Sequence, residues 1–349
     1  MKRRALVTGG CGFVGSNVAA HLRQEGWQVS VLDNLSRPGG VDNLRWLLSS
    51  EGIEFVHGDT RNSGDVDRVI EQARPDAVFH LAGQVAMTTS MSDPRRDFET
   101  NALGSLNVLE SIRRRKLPSA IVYASSNKVY GELNGLALQE ERLRYTAPGL
   151  PQGVDETMPL DFQTPYGCSK GAADQYMLDY ARSFGLNTVV FRHSTIFGGR
   201  QFATFDQGWV GWFCQQALAV KRDSGREPFT ISGDGKQVRD LLFVDDAVKG
   251  YLAAVEQIES VRGQVFNLGG GMANSCSLLE LFEHLERRLE VRLRYQRLPW
   301  RHSDQKFFVA DISKARRLLH WEPQVGKEAG LEMMLKWVRE ADAGVPCPG

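Results

Sequence analysis

The sequence predicts an α/β protein: a doubly wound parallel sheet with a smaller C-terminal lobe. Three observations carry that expectation. Short apolar runs alternate with stretches of helical periodicity over residues 1–192, a glycine-rich turn joins the first run to the first helix, and an acid closes the second run. The 349 residues are 42% hydrophobic and 24% charged, ordinary globular values that indicate neither disorder nor a fibrous protein. Lys and Arg number 42, as do Asp and Glu. That balance provides no basic field for nucleic acid or an anionic membrane, so any anion site must be local.

Arg4-Ala-Leu-Val-Thr8 reads as a buried strand, followed at once by Gly9-Gly-Cys-Gly12-Phe13-Val14-Gly15. Ser16 to Gly26 has helical spacing, with Val18 and Leu22 on one side, and Gln28 to Leu32 is a second strand closed by Asp33 and Asn34. This βαβ unit is of Rossmann type. Glycines there permit a tight turn and let backbone approach a pyrophosphate, and helix N-terminal NH groups face the phosphates. The spacing is GxxGxxG rather than GxGxxG. Asp33 is placed to accept hydrogen bonds from an adenosine ribose, which selects NAD because a 2′-phosphate would be repelled; Arg37 leaves NADP as the alternative. Gly9, Gly12, Phe13, Val14, Gly15, Asp33 and Asn34 are the expected cofactor residues of this unit.

The alternation continues with a strand at Glu54 to His57, a helix from Gly64 to Arg74 and a strand from Asp76 to His80. One long helix follows from Asp93 to Arg115, with Pro94 in its first turn, and then a strand from Ala120 to Ala124. Ligands of such sheets lie beyond the strand C-termini. Asp59, Thr60, Leu81, Ala82, Gly83 and Ser125 are therefore expected at the dinucleotide, Gln84, Ser126 and Asn127 toward a substrate, and Asn101 in support of the site. Glu132 to Gln163 is a long loop rich in Pro, Gly and charge, placed where loops tend to be functional.

Thr164-Pro-Tyr166-Gly-Cys-Ser-Lys170 opens the next helix, which puts Tyr166 and Lys170 on one face. A tyrosine base needs its pKa lowered from about 10 by about three units, or roughly 4 kcal/mol. A neighbouring ammonium, with a cationic ring beside it, supplies that. The helix runs to about Phe184 and a sixth strand covers Asn187 to Arg192. Beyond it, residues 193–235 and about 262–308 read as short elements of a lobe, in which Trp209, Trp212 and Phe213 have core spacing. Arg239 to Asp245 is expected to return the chain to the main sheet, followed by a helix to Glu256. The domain reading is 1–192 for the NAD-binding Rossmann unit, completed by about 236–260, with 193–235 and 261–349 mainly a substrate-binding lobe. Cys11, Cys168, Cys214, Cys276 and Cys347 form neither CxxC nor metal spacing with the seven histidines, so no metal site and a reducing cytoplasm are expected. The apolar run after Met1-Lys-Arg-Arg is too short for a signal peptide, and no stretch approaches a membrane span.

With these residues in place, the chain resembles the extended short-chain dehydrogenase/reductase family of nucleotide-sugar epimerases and dehydratases. The likeness runs through GxxGxxG, Asp33, Gly58-Asp59, Ser125 to Gly131, Tyr166-x-x-x-Lys170, Arg239-Asp-x-x-x-Val-Asp245 and Pro299-Trp-Arg301-x-x-Asp304. It implies Tyr166 as the base, Lys170 holding the nicotinamide ribose and lowering the tyrosine pKa, and Ser126 bonding the reacting hydroxyl. Arg239 and Arg301 would grip a substrate diphosphate, a bidentate task suited to guanidinium, joined at the substrate by Arg200 and Gln201. Thr195 stands where many relatives have an asparagine. The 4,6-dehydratases of the family carry Asp and Glu at the positions of Asn127 and Lys128, so water elimination loses its acid and base here. Hydride removal and return needs only the base, the hydroxyl donor and the dinucleotide.

The runs Ser126 to Gly131, Pro165 to Tyr176 and Phe191 to Gly211 are similar to those of family members that act at C2 of a CDP-linked 3,6-dideoxyhexose. The implied activity is NAD-dependent C2 epimerisation through a 2-keto sugar, by a cytoplasmic homo-oligomer, dimer or tetramer, in carbohydrate biosynthesis that serves lipopolysaccharide. The alternatives are a UDP-sugar 4-epimerase and a non-catalytic dinucleotide sensor.

Overall fold

Seven short runs rich in β-branched and apolar residues pair in parallel into one sheet. Its order is Gln264–Leu268, Asn187–His193, Ala120–Ser126, Ala77–His80, Arg4–Thr8, Gln28–Asp33, Ile53–His57. The computed structural model describes residues 2–49 and 51–342; Met1 and Cys347 lie outside the described residues. Along Arg4–Thr8, Ala5 and Val7 face one helical layer and Leu6 the other, the period of two expected of a strand covered on both sides. The first layer holds helices Phe13–Gln24 and Val244–Glu256; the second holds Ser63–Ala73, Gly104–Arg115 and Thr164–Phe184. Winding reverses between Arg4–Thr8 and Ala77–His80, so a crevice opens beyond their C-termini, at Gly9 and Leu81.

Four features differ from the sequence reading. Gln264–Leu268, expected in the lobe, is the seventh strand of the main sheet. Asn267 in this strand is fully buried and spends its side chain on the Tyr130 hydroxyl and the Val154 carbonyl, each at 2.7 Å. Val238–Phe243 does not rejoin the main sheet: it pairs with Thr195–Phe197, Ser275–Ser277 and Phe307–Phe308 in a separate sheet, and only the following helix returns. The long helix from residue 93 to residue 115 contains a π-helical turn at Glu99–Leu103, and helices Gly40–Leu48 and Met87–Ser92 were not anticipated. Within the 132–163 loop, Gln139–Glu140 and Tyr145–Thr146 form a small antiparallel pair, and Tyr145 and Val154 tie it to the Lys236 and Val309 carbonyls.

The lobe has its own core, in which Phe213 of Trp209–Arg222, Phe282 of Leu278–Leu289 and Met334 of Lys327–Asp342 pack together. Ser277 and Glu280 cap Leu278–Leu289 reciprocally. Among the described residues no helix is long and apolar enough to cross a membrane, and no group of side chains is arranged to hold a metal ion.

Candidate active site

The glycine turn is dictated by close approach. Gly9 sits at φ +68°, where a Cβ would lie 2.6 Å from the Ala82 nitrogen, and a Cβ on Gly15 would meet the Gly9 carbonyl at 2.1 Å. Helix Phe13–Gln24 therefore begins hard against the strand ends, and Gly12 at its N-cap provides no side chain to satisfy its NH groups. That uncapped terminus suits an anion. Asp33 accepts hydrogen bonds from the Cys11 and Leu35 nitrogens, at 2.9 and 2.8 Å, which fixes its carboxylate beside the turn. Burial pushes its pKa up, against those two bonds. Asn34 donates to Asp59 at 2.9 Å; burial works against the Asp59 carboxylate, but Arg61 outweighs it and holds the pKa down to about 2. Thr60 is buried alongside, its carbonyl accepting from Asn107. These groups fit a dinucleotide: an open helix terminus for a pyrophosphate and a fixed carboxylate for a ribose.

Across the crevice, Leu81, Ala82 and Gly83 follow Ala77–His80. A Cβ on Gly83 would stand 3.0 Å from both Lys170 Nζ and Asn101 Oδ1, so this backbone forms the wall against which Lys170 lies. The π-helical turn sets Asn101 inward, where it exchanges hydrogen bonds with the Gln84 backbone and donates to Ser169 at 3.0 Å. Ser125 donates to Asp174 at 2.8 Å. Tyr166 and Lys170 share the inner face of Thr164–Phe184. Lys170 Nζ donates to the Ala124 carbonyl at 2.8 Å, and burial pushes it down to about 8, partly countered by Asp97. Burial pushes the Tyr166 phenol up to about 12, with a hydrogen bond from Ser126 pulling the other way. In the protein alone, then, the tyrosine is raised and not lowered as expected, because burial outweighs the bond from Ser126.

Ser126 and Tyr166 form the inner end of a cleft of about 420 Å³ between the sheet and the lobe. Arg239 and Arg301 line it from the lobe side. Arg239 donates to Asp304 at 2.8 Å, and Arg301 to the Phe205 carbonyl and the Ser232 hydroxyl at 3.1 and 3.3 Å. Asn127 lines the cleft, its amide donating to Gln305 at 2.8 Å.

Other residues fall elsewhere than expected. Gln84 does not offer its side chain to the cleft: the amide donates to Ala86 and Asp97 and accepts from the Ala86 nitrogen. Arg200 stacks 4.0 Å over the Trp46 ring and is not in the cleft lining. Gln201 is buried beneath Gly208, its amide donating to Ile196. Arg200 takes φ +69°. Trp209, Trp212 and Phe213 pack in or against the lobe core, as their spacing predicts, and also line the cleft, where Trp209 donates to Thr195 at 3.2 Å. The sequence reading missed Asp97, a buried carboxylate behind Lys170 that Gln84, Asn101 and Ser169 surround. It also missed the buried Asp174–Arg192 pair behind Ser125. The i, i+4 spacing of Asp97 and Asn101 was the one available signal.

A family model, the NAD dependent epimerase/dehydratase family, matches residues 5–269. The chain is 54% identical to CDP-paratose 2-epimerase of Salmonella typhi over 334 residues, 96% of this chain and 98% of that protein. The solved structure of UDP-glucose 4-epimerase from Thermotoga maritima with UDP-glucose superposes with a TM-score of 0.82 at 31% identity, covering 97% of this chain and 99% of that one. UDP-glucose 4-epimerase of Thermus thermophilus, in complex with NAD, gives a TM-score of 0.81 at 30% identity, with 97% and 99% covered.

Proposed function

Because the chain belongs to the NAD dependent epimerase/dehydratase family, we propose that it inverts C2 of a CDP-linked 3,6-dideoxyhexose, converting CDP-paratose to CDP-tyvelose by removal and return of a hydride. NAD, when bound, supplies the hydride acceptor and donor. The turn from Gly9 to Gly15 with Asp33 and Asn34 holds its adenosine and pyrophosphate. Asp59, Thr60, Leu81, Ala82, Gly83, Asn101 and Ser125 wall the crevice, and Tyr166 and Lys170 hold the nicotinamide ribose. Ser126 holds the C2 hydroxyl by a hydrogen bond while Tyr166, as phenolate, takes its proton. Arg239 and Arg301 keep the diphosphate in place as the keto sugar turns, and Tyr166 then gives the proton back to the C2 oxygen. The reaction is set in the cytoplasm, and the sugar serves lipopolysaccharide.

One observation carries the choice of reaction. Among the described residues lining the cleft the carboxylates are Asp206 and Asp304, and both are engaged: Asp206 by Thr88 and Thr204, Asp304 by Lys128 and Arg239. Eliminating water would need a further acid and base beside the sugar, for the leaving hydroxyl and a ring-carbon proton, whereas hydride return needs no acid or base beyond Tyr166. The likeness to CDP-paratose 2-epimerase supports the base and the carbon. CDP-paratose incubated with the enzyme in heavy water should give product inverted at C2 with no deuterium on carbon, by mass and proton NMR. Solvent deuterium at any ring carbon would overturn the hydride-return reading.

A further inference from the structure

Lys128 stands two residues after Ser126, in a short helical turn that the Ser126 hydroxyl caps by accepting from the Lys128 nitrogen at 3.2 Å. Its side chain lines the same cleft as Ser126 and Tyr166. The ammonium reaches across to the lobe, donating to the Ser303 carbonyl at 3.2 Å and to Asp304 Oδ1 at 3.3 Å. Arg239 donates to that same carboxylate oxygen at 2.8 Å. An ammonium has three donors, and two are used here. Lys128, Arg239 and Arg301 thus surround Asp304, and with Asp206, the other carboxylate of the cleft, counted as well, cations still outnumber carboxylates by one. The diphosphate of a nucleotide sugar carries two negative charges.

We propose that Lys128 binds the β-phosphate of the substrate and thereby sets which ring carbon reaches Tyr166. This rests on the reading above and names the residue that enforces it. The β-phosphate hangs on the anomeric carbon. C2 adjoins that carbon, whereas C4 lies across the ring. With C2 over the Ser126–Tyr166 pair, the β-phosphate must lie close to that pair; with C4 there, it lies a ring's width further out. Arg239 and Arg301 enter from the lobe and are suited to a diphosphate in either position. Lys128 alone among the three cations follows directly on the catalytic strand, and its ammonium favours the nearer one.

Lys128→Met keeps the apolar stem and removes the ammonium; Lys128→Arg restores a cation. CDP and CMP differ by the β-phosphate. Calorimetry on the NAD-loaded enzyme should show Lys128→Met weakening CDP about tenfold while CMP binds as in wild type, with Lys128→Arg recovering much of the loss. Product analysis from CDP-paratose should show C4-inverted sugar with Lys128→Met where wild type gives only the C2 epimer. Equal losses for CDP and CMP would reduce Lys128 to a latch on the Ser303–Asp304 segment and overturn the proposal, as would unchanged CDP binding. If Lys128→Met fails to fold, Lys128→Gln carries the same comparison. A wild-type enzyme that gave no C2 epimer would instead reject the underlying reading, which the CDP and CMP titrations do not depend on.

Discussion

Tyr166 and Lys170 lie one helical turn apart, both buried, and burial drives them toward neutrality from opposite sides: the phenol is pushed up to about 12 and the ammonium down to about 8. Both shifts come from the same water-poor wall, since the charged form of either group is the one that loses solvation. A base with its pKa near 12 is protonated at neutral pH, so the protein alone holds Tyr166 as a phenol. Spectroscopic titration of the NAD-free protein should show the phenolate of Tyr166, identified by difference from Tyr166→Phe, only as pH approaches about 12. With NAD bound, its cationic ring should bring that transition down. A transition near neutrality in the NAD-free protein would contradict the burial argument.

Tyr166→Phe keeps the ring and removes the proton acceptor. Turnover should fall by roughly 100-fold or more, the usual loss of a general base, while NAD remains bound. Steady-state rates together with the NAD content of the purified variant check this. Turnover close to wild type would place the base elsewhere.

Asp33 grips the glycine turn through the Cys11 nitrogen, and on the proposed reading it binds the adenosine ribose. Purified protein should release NAD rather than NADP on denaturation. Asp33→Asn should release less NAD and discriminate less against NADP, because the amide no longer repels a 2′-phosphate. Chromatography of the released nucleotide decides it, and recovery of mostly NADP from wild type would reverse the assignment.

The parts of the site legible in the sequence are those whose chemistry depends on local spacing. Gly9 to Gly15, Asp33 and Tyr166-x-x-x-Lys170 each work within one turn or one βαβ unit, so neighbours in sequence are neighbours in space. Asp304 is different: its partners Lys128 and Arg239 come from other segments, and nothing local announces that the three meet. Arg200 and Gln201 were misplaced for the converse reason. Their run carries the right residue types, but Arg200 stacks on Trp46 and Gln201 bonds the Ile196 carbonyl, partners that nothing local announces. The seventh strand lies beyond the strict alternation of strand and helix, and its buried Asn267 looks like surface until its partners are known. The six other strands of the sheet showed because apolar alternation with helices needs no such partner.

Two buried histidines make stability sensitive to acid. His80 bonds Thr8 and Ser105, His193 bonds Tyr251 and the Ser125 carbonyl, and burial pushes both down to about 3. An unfolded histidine titrates near about 6.5. Between those limits the unfolded chain binds the additional protons, so stability is full above pH about 6.5 and falls as pH drops toward about 3. Asp59, held down to about 2, adds to the fall below about pH 4, while Asp240, raised to about 6 by burial, opposes the histidines between about pH 6 and about pH 4. Denaturant unfolding of wild type and His80→Gln across this range should show a shallower slope in the variant by about one proton. Equal slopes would mean that His80 is already charged in the fold.

The Asp174–Arg192 pair supports the site from behind without touching substrate. Both side chains are almost wholly buried, Arg192 holds Asp174 through two hydrogen bonds of 2.9 and 3.0 Å, and Ser125 donates to the same carboxylate. Arg192 also donates to the Tyr130 hydroxyl at 3.1 Å, so the network runs from the strand end at Ser125 into the core. Asp174→Ala leaves a guanidinium without its counter-charge in a medium that cannot solvate it, which should cost about 3–5 kcal/mol of stability. Removing both charges by Asp174→Leu with Arg192→Met leaves no orphan ion, so the double variant should be more stable than the single one. Urea unfolding of wild type, single and double variants measures this directly. The single variant should also lose activity through Ser125, which without its acceptor no longer has a fixed orientation beside Ser126. A single variant as stable as wild type would mean that water or a neighbouring group replaces Asp174, and that the pair does not hold the strand end.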